Sequence, residues 1–223
     1  VTTLPAVSNV SRKYRYIFKT KSEDILLVHT DLSTVEVRVA MSLFGDENGI
    51  NDCNSGDVYC VLVRQVFPDT ATFNDRQIKE LHPAKREITK KLLLGIIYGR
   101  GIQSIASELQ ITIKEAEEIA NSIKDRYKQL FSGINEELRR VNGCKFARSP
   151  KGFIRHLPVD NLDVWEPSNE RQIRNFFVQA AAAETFISAA LKIIPLIKRY
   201  DSKPVFLLHD MVMVEAPKDN ADA

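Results

Sequence analysis

Apolar, strand-like runs stand near both ends of the chain, and helix-like patterns fill most of the sequence between them. The first run, Ile25–Asp31 (ILLVHTD), is short and ends in polar residues, which is typical of a buried strand reaching the edge of a sheet. The second run, Val205–Glu215 (VFLLHDMVMVE), is two apolar segments joined at His209-Asp210, which predicts a tight β-hairpin. If these end strands pair into one sheet, the helical stretch is an insertion within a discontinuous domain.

This arrangement predicts an α+β fold. We expect an antiparallel sheet domain over residues 1–60 and 150–223, with a helical subdomain inserted over residues 61–149. The spacing of the apolar residues predicts helices over 57–67, 82–98, 102–109, 112–130 and 172–200.

Turn-forming residues divide the rest of the chain. Residues 45–56 are rich in Gly, Asn and Asp, so a loop is expected there. Thr112 followed by Glu115 is a capping-box signal for the start of a helix. Residues 142–170 contain several Gly and Pro residues and predict a long irregular connection with one hairpin.

Composition limits the possible classes of protein. The net charge is only +2, so the total charge predicts no general attraction to nucleic acid. Basic side chains are concentrated in residues 1–22 and 139–155, which fits phosphate binding in a defined groove, although solvated faces look similar.

The three cysteines lack C-x-x-C spacing, which argues against a zinc site or a disulfide framework. The longest apolar stretch, residues 178–197, is interrupted by Glu184 and Lys192, so we expect a helix of a soluble protein and no membrane partner.

The segment His82–Gly99 (HPAKREITKKLLLGIIYG) combines basic and apolar residues on one predicted helix that Pro83 can begin. One face of this helix carries Arg86, Lys90, Leu94 and Tyr98, which recur every four residues. That face could hold an anionic, partly flat ligand, with phosphates at one end and a base at the other. Lys85 and Lys91 lie off the face and are expected in solvent. An ordinary amphipathic core helix with a solvated basic end explains the same pattern.

Two aspartates, Asp31 and Asp210, each end an apolar strand. If the strands are neighbours, the carboxylates converge and repel each other, which raises one pKa. Mg²⁺ relieves such repulsion, prefers oxygen ligands and binds substrate phosphates, and two such ions can activate a hydroxyl and stabilise a leaving pyrophosphate. Taken singly, a strand-end Asp is more often a turn or cap residue.

Three ordered motifs resemble those of family A DNA polymerases, the bacterial polymerase I family. They are DLSTVEVR (Asp31–Arg38), REITKKLLLGIIYG (Arg86–Gly99) and HDMVMVE (His209–Glu215). A fourth block, ERQIRNFFVQAAAAE (Glu170–Glu184), resembles the helix that precedes the last motif of the family. The resemblance covers the chain from about Leu4 to Pro217. It implies a palm and fingers fragment that synthesises DNA from dNTPs on a primer–template, with two Mg²⁺ ions.

The resemblance also implies roles for individual residues. Asp31 and Asp210 match the metal-binding aspartates, and Glu36 matches the glutamate that excludes a ribose 2′-hydroxyl. In the nucleotide-binding helix of the family, Arg86 and Lys90 match residues that hold the triphosphate, and Lys90 is also an expected catalytic residue. Leu94 matches the position that stacks on the base, and Tyr98 matches the tyrosine at the insertion site. The matches to the DNA-binding residues are Arg171, Asn175 and Gln179 in the minor groove and His209 beside the primer terminus.

The chain departs from the family pattern at four places. Leu94 replaces the usual Phe or Tyr, and Met211 replaces a second acidic residue after Asp210. Val7 stands where an arginine reaches the minor groove, a role that Arg12 could cover. Ala180-Ala181 replaces the usual Gly-Thr. Asp31, Asp210 and Lys90 remain, so the expected chemistry is retained.

The resemblance places a thumb and an exonuclease upstream of these motifs, so we expect a fragment of a longer, intracellular protein. The cytoplasm of a bacterium or of a phage-infected cell is expected, with an organelle as an alternative. Two other functions stay open: a single-subunit RNA polymerase, against which Glu36 argues, and a non-catalytic nucleic-acid-binding remnant.

Overall fold

The computed structural model describes residues 12–17, 19–157, 167–208 and 210–221. The helices of this part are α1 (Val35–Leu43), α2 (Glu47–Ser55), α3 (Val58–Val66), α4 (Asp75–Leu81), α5 (Pro83–Ile97), α6 (Ile102–Leu109), α7 (Ile113–Arg126), α8 (Lys128–Cys144) and α9 (Pro167–Ile197). Its strands are β1 (Ile25–Asp31), β2 (Phe146–Arg148), β3 (Ile154–His156), β4 (Lys203–Leu208) and β5 (Met211–Pro217). The predicted mixture of a helical bundle and a small antiparallel sheet is confirmed.

Strands from the two ends of the chain form one antiparallel sheet in the order β1-β5-β4. Strand β5 lies in the centre, and its Val212, Val214 and Ala216 are buried, as the two-residue period of a strand requires. Phe186 and Ala190 of α9 pack against Val212 and Val214. The pairing of the end strands, predicted from apolar runs alone, is therefore confirmed.

The chain divides into two compact units: Val1–Val35 with Ala182–Ala223, and Glu36–Ala181. The first unit holds the β1-β5-β4 sheet and the second holds the helices α2 to α8 and the β2-β3 hairpin. The boundaries of these units differ from those of the expected palm (residues 1–60 and 150–223) and the expected fingers (residues 61–149). The boundaries at residues 60 and 150 remain a prediction.

Among the described residues, the helical unit has one extended core, to which every helix from α1 to α9 except α4 contributes, and a smaller cluster of Cys60, Val63 and Ile78. Its largest fully buried side chains include Met41, Leu62, Leu92 and Tyr127. Full burial of one large apolar side chain contributes roughly 1.5–3 kcal/mol. The helix α5 contributes the buried Leu92, Leu93 and Ile97 to this core, and its Ile88 and Leu94, with Tyr98 at the cap, pack against it.

The expected loop at residues 45–56 is wrong, because α2 occupies most of it. Asp46 caps this helix: its Oδ1 accepts a hydrogen bond from Gly49 N at 2.8 Å, and its Oδ2 accepts one from Leu130 N at 3.0 Å. The helix also buries Gly49, Asp52 and Cys53. A side-chain cap and contacts distant in sequence thus outweigh a composition that disfavours helix.

The helix expected from Thr112 to Leu130 begins as predicted but is interrupted. Thr112 and Glu115 form the capping box. The helix α7 then ends at Arg126, and α8 begins at Lys128. Tyr127 between them is buried and donates its hydroxyl to Asp52 Oδ2 at 2.8 Å, and Arg126 donates to both oxygens of the same carboxylate.

One helical stretch of the described residues, Asn169–Tyr200, is long and apolar enough to cross a membrane by length and composition, and 28% of its most apolar window is buried. A single helix of this kind is weak support for a membrane span, since core helices of soluble proteins pass the same test.

Candidate active site

The strand-end aspartates meet at one edge of the β1-β5-β4 sheet. Asp31 is the last residue of β1 and pairs in register with Met211, the first residue of β5. The adjoining backbone is joined by a hydrogen bond from Leu32 N to the carbonyl oxygen of Asp210 at 3.0 Å. Strand pairing therefore brings Asp31 and Asp210 together, although they are far apart in sequence.

The surroundings of Asp31 disfavour its negative charge. Burial, the charge of Asp210 and a hydrogen bond with Asp210 raise the pKa of Asp31, while His29 and the backbone at Leu32 lower it by less. The described residues include no group of three or more His, Cys, Asp or Glu side chains that could hold a metal ion. The donor set at this edge is thus two carboxylates, which suits an ion that keeps waters and substrate oxygens as its other ligands.

The four predicted residues of α5 share one half-buried face. Arg86, Lys90 and Leu94 lie on it within the helix, and Tyr98 stands at its C-terminal cap. Gly99 follows with a φ of 72°, a left-handed conformation that glycine adopts without strain. The order of guanidinium, ammonium, aliphatic and phenol groups predicted from the four-residue spacing is confirmed.

Arg86 is held by a carboxylate from α3. Its Nη2 and Nε lie 2.8 Å and 3.1 Å from Asp57 Oδ2. The guanidinium also lies over the ring of Tyr59, 5.3 Å from the ring centre. Arg86 is therefore oriented before any ligand arrives.

The other cations of α5 differ in their contacts. Lys85 pairs with Asp69 and lies over the ring of Phe67, and Lys91 Nζ lies 2.9 Å from Glu108 Oε1. The expectation that Lys85 and Lys91 are simply solvated is wrong, because neighbouring acids pair with them. Lys90 has no ion pair with any residue in the described part of the chain.

Glu36, in the first turn of α1, affects the titration of two tyrosine side chains, Tyr59 and Tyr98. Burial and then the Glu36 carboxylate raise the pKa of Tyr98, and the same two causes lead those that raise the pKa of Tyr59. Both phenols therefore stay protonated at neutral pH. The Tyr98 hydroxyl is buried, yet among the described residues no atom meets hydrogen-bond geometry with it, although Glu36 is close enough to affect its titration.

The predicted DNA-binding residues of α9 lie along one side of the helix. Arg171 and Gln179 are exposed and Asn175 is half-buried. Asn175 and Gln179 help to line a concavity of about 400 Å³. Its other lining residues are Arg155, Gln172, Phe176 and Ala180.

Three residues singled out in the sequence cannot be placed. His209 and Val7 lie outside the described residues. Arg12 begins a short 3₁₀ segment, Arg12–Ile17, but its side chain lies outside the described part. Their expected roles at the primer end remain predictions.

Comparison with known proteins gives one family for the whole chain. The sequence model of the family described as DNA polymerase family A matches residues 1–223. The chain belongs to this family. Thermostable DNA polymerase I of Thermus aquaticus is 28% identical over 228 residues, covering 99% of this chain and 26% of the relative. DNA polymerase theta of Caenorhabditis elegans is 27% identical, covering 98% of this chain and 13% of the relative.

A solved structure shows the same fold. The polymerase domain of Pol1 from M. smegmatis, in complex with DNA primer-template and dNTP, matches this family A chain with a TM-score of 0.74 at 22% identity. The match covers 88% of this chain and 35% of that domain's chain. The chain spans about a quarter of the length of the Thermus polymerase. The resemblance seen in the motifs is thus confirmed for family and fold, while the residue roles remain predictions.

Asp57 and Tyr59 contact a predicted phosphate-binding group of this family A chain, and sequence reasoning missed them. The sequence does place Asp57 at the start of the helix predicted over residues 57–67, and Asp is a favoured cap residue. The structure confirms that cap, since Tyr59 N donates to Asp57 Oδ1 at 3.0 Å. Nothing in the local pattern links Asp57 to Arg86, which lies 29 residues away.

Proposed function

We propose that this chain is the catalytic core of an intracellular DNA polymerase, which adds deoxynucleoside triphosphates to the 3′-hydroxyl of a primer on a template. The observation that carries the proposal is the pair of carboxylates, Asp31 and Asp210, at the ends of paired strands. Membership of DNA polymerase family A supports DNA synthesis as the activity. The M. smegmatis domain of similar fold was solved with DNA primer-template and dNTP, the substrates proposed here.

Asp31 and Asp210 are the proposed ligands of two Mg²⁺ ions. The ions, when bound, would supply Lewis-acid activation of the primer hydroxyl and stabilisation of the leaving pyrophosphate. The donors fit this role, because burial and then the charge of Asp210 raise the pKa of Asp31, and a cation would relieve that charge repulsion. Met211 adds no carboxylate, so substrate oxygens and waters complete the proposed coordination.

The reaction forms a bond from the primer 3′-oxygen to the α-phosphorus and breaks the bond from that phosphorus to the oxygen of the leaving pyrophosphate, while the proton of the hydroxyl passes to solvent water. Negative charge grows on the leaving pyrophosphate. Lys90 offers a compact ammonium and Arg86 a planar guanidinium, both suited to phosphate oxygens. We propose that they bind the triphosphate and stabilise this growing charge.

The sugar and the base are assigned to the other end of the same face. Glu36 is proposed to leave no room for a 2′-hydroxyl, which selects deoxynucleotides. Tyr98 is proposed to bound the insertion site, and Leu94 to pack against the incoming base through apolar contact instead of aromatic stacking.

The duplex is assigned to α9 and to the residues beside the primer end. Arg171, Asn175 and Gln179 offer hydrogen-bonding groups along one side of the helix. The minor groove presents acceptors common to all base pairs, so such contacts bind DNA without reading its sequence. His209 and Arg12 are proposed to contact the primer terminus and the nearby minor groove.

Mg²⁺-dependent primer extension by the full-length protein tests the proposal. Asp210→Asn should lower the rate about a thousandfold, since metal-assisted charge stabilisation contributes several kcal/mol. Asp201→Asn is the matched control. Asp201 is an exposed aspartate of the same unit with a φ of 52°, which Asn tolerates, so this variant should keep full activity.

Three outcomes would decide against parts of the proposal. Retained extension in Asp210→Asn would mean that the metal site is wrong. Equal use of ribonucleotides and deoxynucleotides would favour an RNA polymerase and would remove the role of Glu36. Salt-dependent DNA binding without synthesis would favour a non-catalytic remnant.

We propose that the 223-residue chain by itself is weakly active or inactive. Much of the affinity for duplex DNA comes from phosphate contacts spread along it, and the relatives are several times longer than this chain. Processive synthesis by the chain alone would contradict this.

A further inference from the structure

Asp57 is the centre of a small charge network beside α5. Its Oδ2 accepts from Arg86 at 2.8 Å and 3.1 Å and lies 3.1 Å from Lys79 Nζ. The Asp57 side chain is only 11% exposed, so solvent screens these contacts weakly. Burial alone would raise the pKa of Asp57, but hydrogen bonds from Arg86 and Lys79 hold it below its ordinary value.

The carboxylate of Asp57 is itself fixed in direction. Its other oxygen, Oδ1, accepts from Tyr59 N at 3.0 Å and caps α3. The Asp57 backbone N–H donates to Asp75 Oδ2 at 2.8 Å, and Asp75 pairs with Arg64 at 2.7 Å. One oxygen therefore belongs to the helix cap and the other to the cations.

The contact fixes the plane of the Arg86 guanidinium. It engages Nε and Nη2, and the guanidinium carbon lies over the Tyr59 ring, 5.3 Å from the ring centre. The Nη1 end lies outside this contact with Asp57. A guanidinium held in this way can meet phosphate oxygens without first losing side-chain freedom, which lowers the entropic cost of binding.

We propose that Asp57 is a positioning residue for nucleotide binding: it orients Arg86 for the triphosphate and does not touch the nucleotide itself. The inference rests on the proposed function, in which Arg86 binds that triphosphate. The opposite role, a carboxylate that competes with the triphosphate for Arg86, is less consistent with the geometry, because Asp57 engages only the Nε–Nη2 edge of the guanidinium. The two roles predict opposite changes in nucleotide affinity.

Asp57→Asn separates the charge from the cap. Asn accepts the same backbone hydrogen bond at a helix N-terminus, so α3 keeps its cap while Arg86 and Lys79 lose the anion. Asp57→Ser also keeps a capping oxygen and serves as a second variant if the first is unstable. Asp69→Asn is the matched control, because it removes the acid partner of Lys85 on the same helix without contacting Arg86.

Single-nucleotide primer extension by the full-length protein gives the KM for the nucleotide and kcat separately. Asp57→Asn should raise KM about tenfold with a smaller change in kcat, and Asp69→Asn should leave both unchanged. In an Arg86→Ala background, Asp57→Asn should cause no further rise, since the group it orients is gone.

The outcomes distinguish the inference from the function on which it rests. If Arg86→Ala leaves KM unchanged, the proposed role of Arg86 fails. If Arg86→Ala raises KM but Asp57→Asn leaves it unchanged or lowers it, positioning by Asp57 is refuted. Equal effects of Asp57→Asn in the wild-type and Arg86→Ala backgrounds would also refute it, because the residue would then act independently of Arg86.

Discussion

The buried hydroxyl of Tyr98 should reduce the stability of the chain. An unsatisfied buried polar group costs about 1–3 kcal/mol, and no atom in the described part of the chain lies in good hydrogen-bond geometry with this hydroxyl, although a hydrogen bond with Glu36 is among the causes that raise its pKa. Tyr98→Phe removes only the hydroxyl and keeps the ring in place. We expect the free energy of unfolding to rise by about 1 kcal/mol, the low end of that range, because the nearby Glu36 carboxylate attracts the phenol proton.

Tyr127→Phe is the matched control with the opposite sign. Tyr127 is also a buried phenol, but its hydroxyl donates to Asp52 Oδ2 at 2.8 Å. Hydrogen bonds to charged groups contribute roughly 1.5–3 kcal/mol. The same chemical change should therefore lower the free energy of unfolding by about 1.5 kcal/mol or more. Arg126 keeps Asp52 paired in the variant, so no carboxylate is left without a partner.

Guanidinium unfolding followed by far-UV circular dichroism measures both variants. The midpoint should rise in Tyr98→Phe and fall in Tyr127→Phe with an unchanged slope, and thermal unfolding should show shifts of roughly 2–4 °C per kcal/mol. A loss of stability in Tyr98→Phe would refute the reasoning. It would mean that the hydroxyl has an acceptor, and loss of the effect in a Glu36→Gln background would identify it as the carboxylate.

Three further predictions test the strand-end site, a helix contact and the charge network. Asp31→Asn should stabilise the Mg²⁺-free protein by about 1 kcal/mol or less in thermal unfolding, because it removes repulsion from Asp210 at a solvent-exposed site. The same variant should abolish primer extension. Gly49→Ala should lower the free energy of unfolding by about 1–3 kcal/mol in denaturant unfolding, because the added methyl would lie 2.1 Å from Met41 Sδ. Because the pKa of Asp57 is lowered in the folded chain, its charge stabilises the fold at pH values above the ordinary pKa of 3.8, and this stabilisation is lost as the pH falls below 3.8. Asp57→Asn should therefore weaken the dependence of the melting temperature on pH below about 3.8.

Local patterns predicted those elements whose signals are local. The apolar run Ile25–Asp31 and the hairpin of Val205–Glu215 became β1, β4 and β5, because alternation and a turn signal are properties of adjacent residues. The helix α5 matched its prediction because Pro83 and the four-residue spacing specify both its start and its faces. The meeting of Asp31 and Asp210 also followed, since it needs only that the end strands are neighbours.

Elements fixed by distant contacts were not predictable in this way. The sequence of α2 disfavours a helix, and the structure forms one with Asp46 as a cap shared between Gly49 and Leu130, 84 residues away. Tyr127, at the break between α7 and α8, is hydrogen-bonded to Asp52, which is 75 residues distant. Residue spacing along one helix carries no information about such partners.

The four cations of α5 show what periodicity leaves undetermined at a site. The four-residue spacing places Arg86 and Lys90 on the predicted ligand-binding face and Lys85 and Lys91 off it. The spacing does not show which of these side chains form ion pairs with acids. In the described part of the chain, acids pair with Lys85, Lys91 and Arg86, and Lys90 alone of the four lacks such a partner. If α5 binds the triphosphate as proposed, we expect its attraction for the anion to depend mainly on Lys90, with Arg86 contributing a fixed direction for hydrogen bonds. A count of charges treats Lys90 and Arg86 as equal. Their partners distinguish them: we expect Lys90, unpaired among the described residues, to attract an anion by its charge and the paired Arg86 to orient it by directed hydrogen bonds.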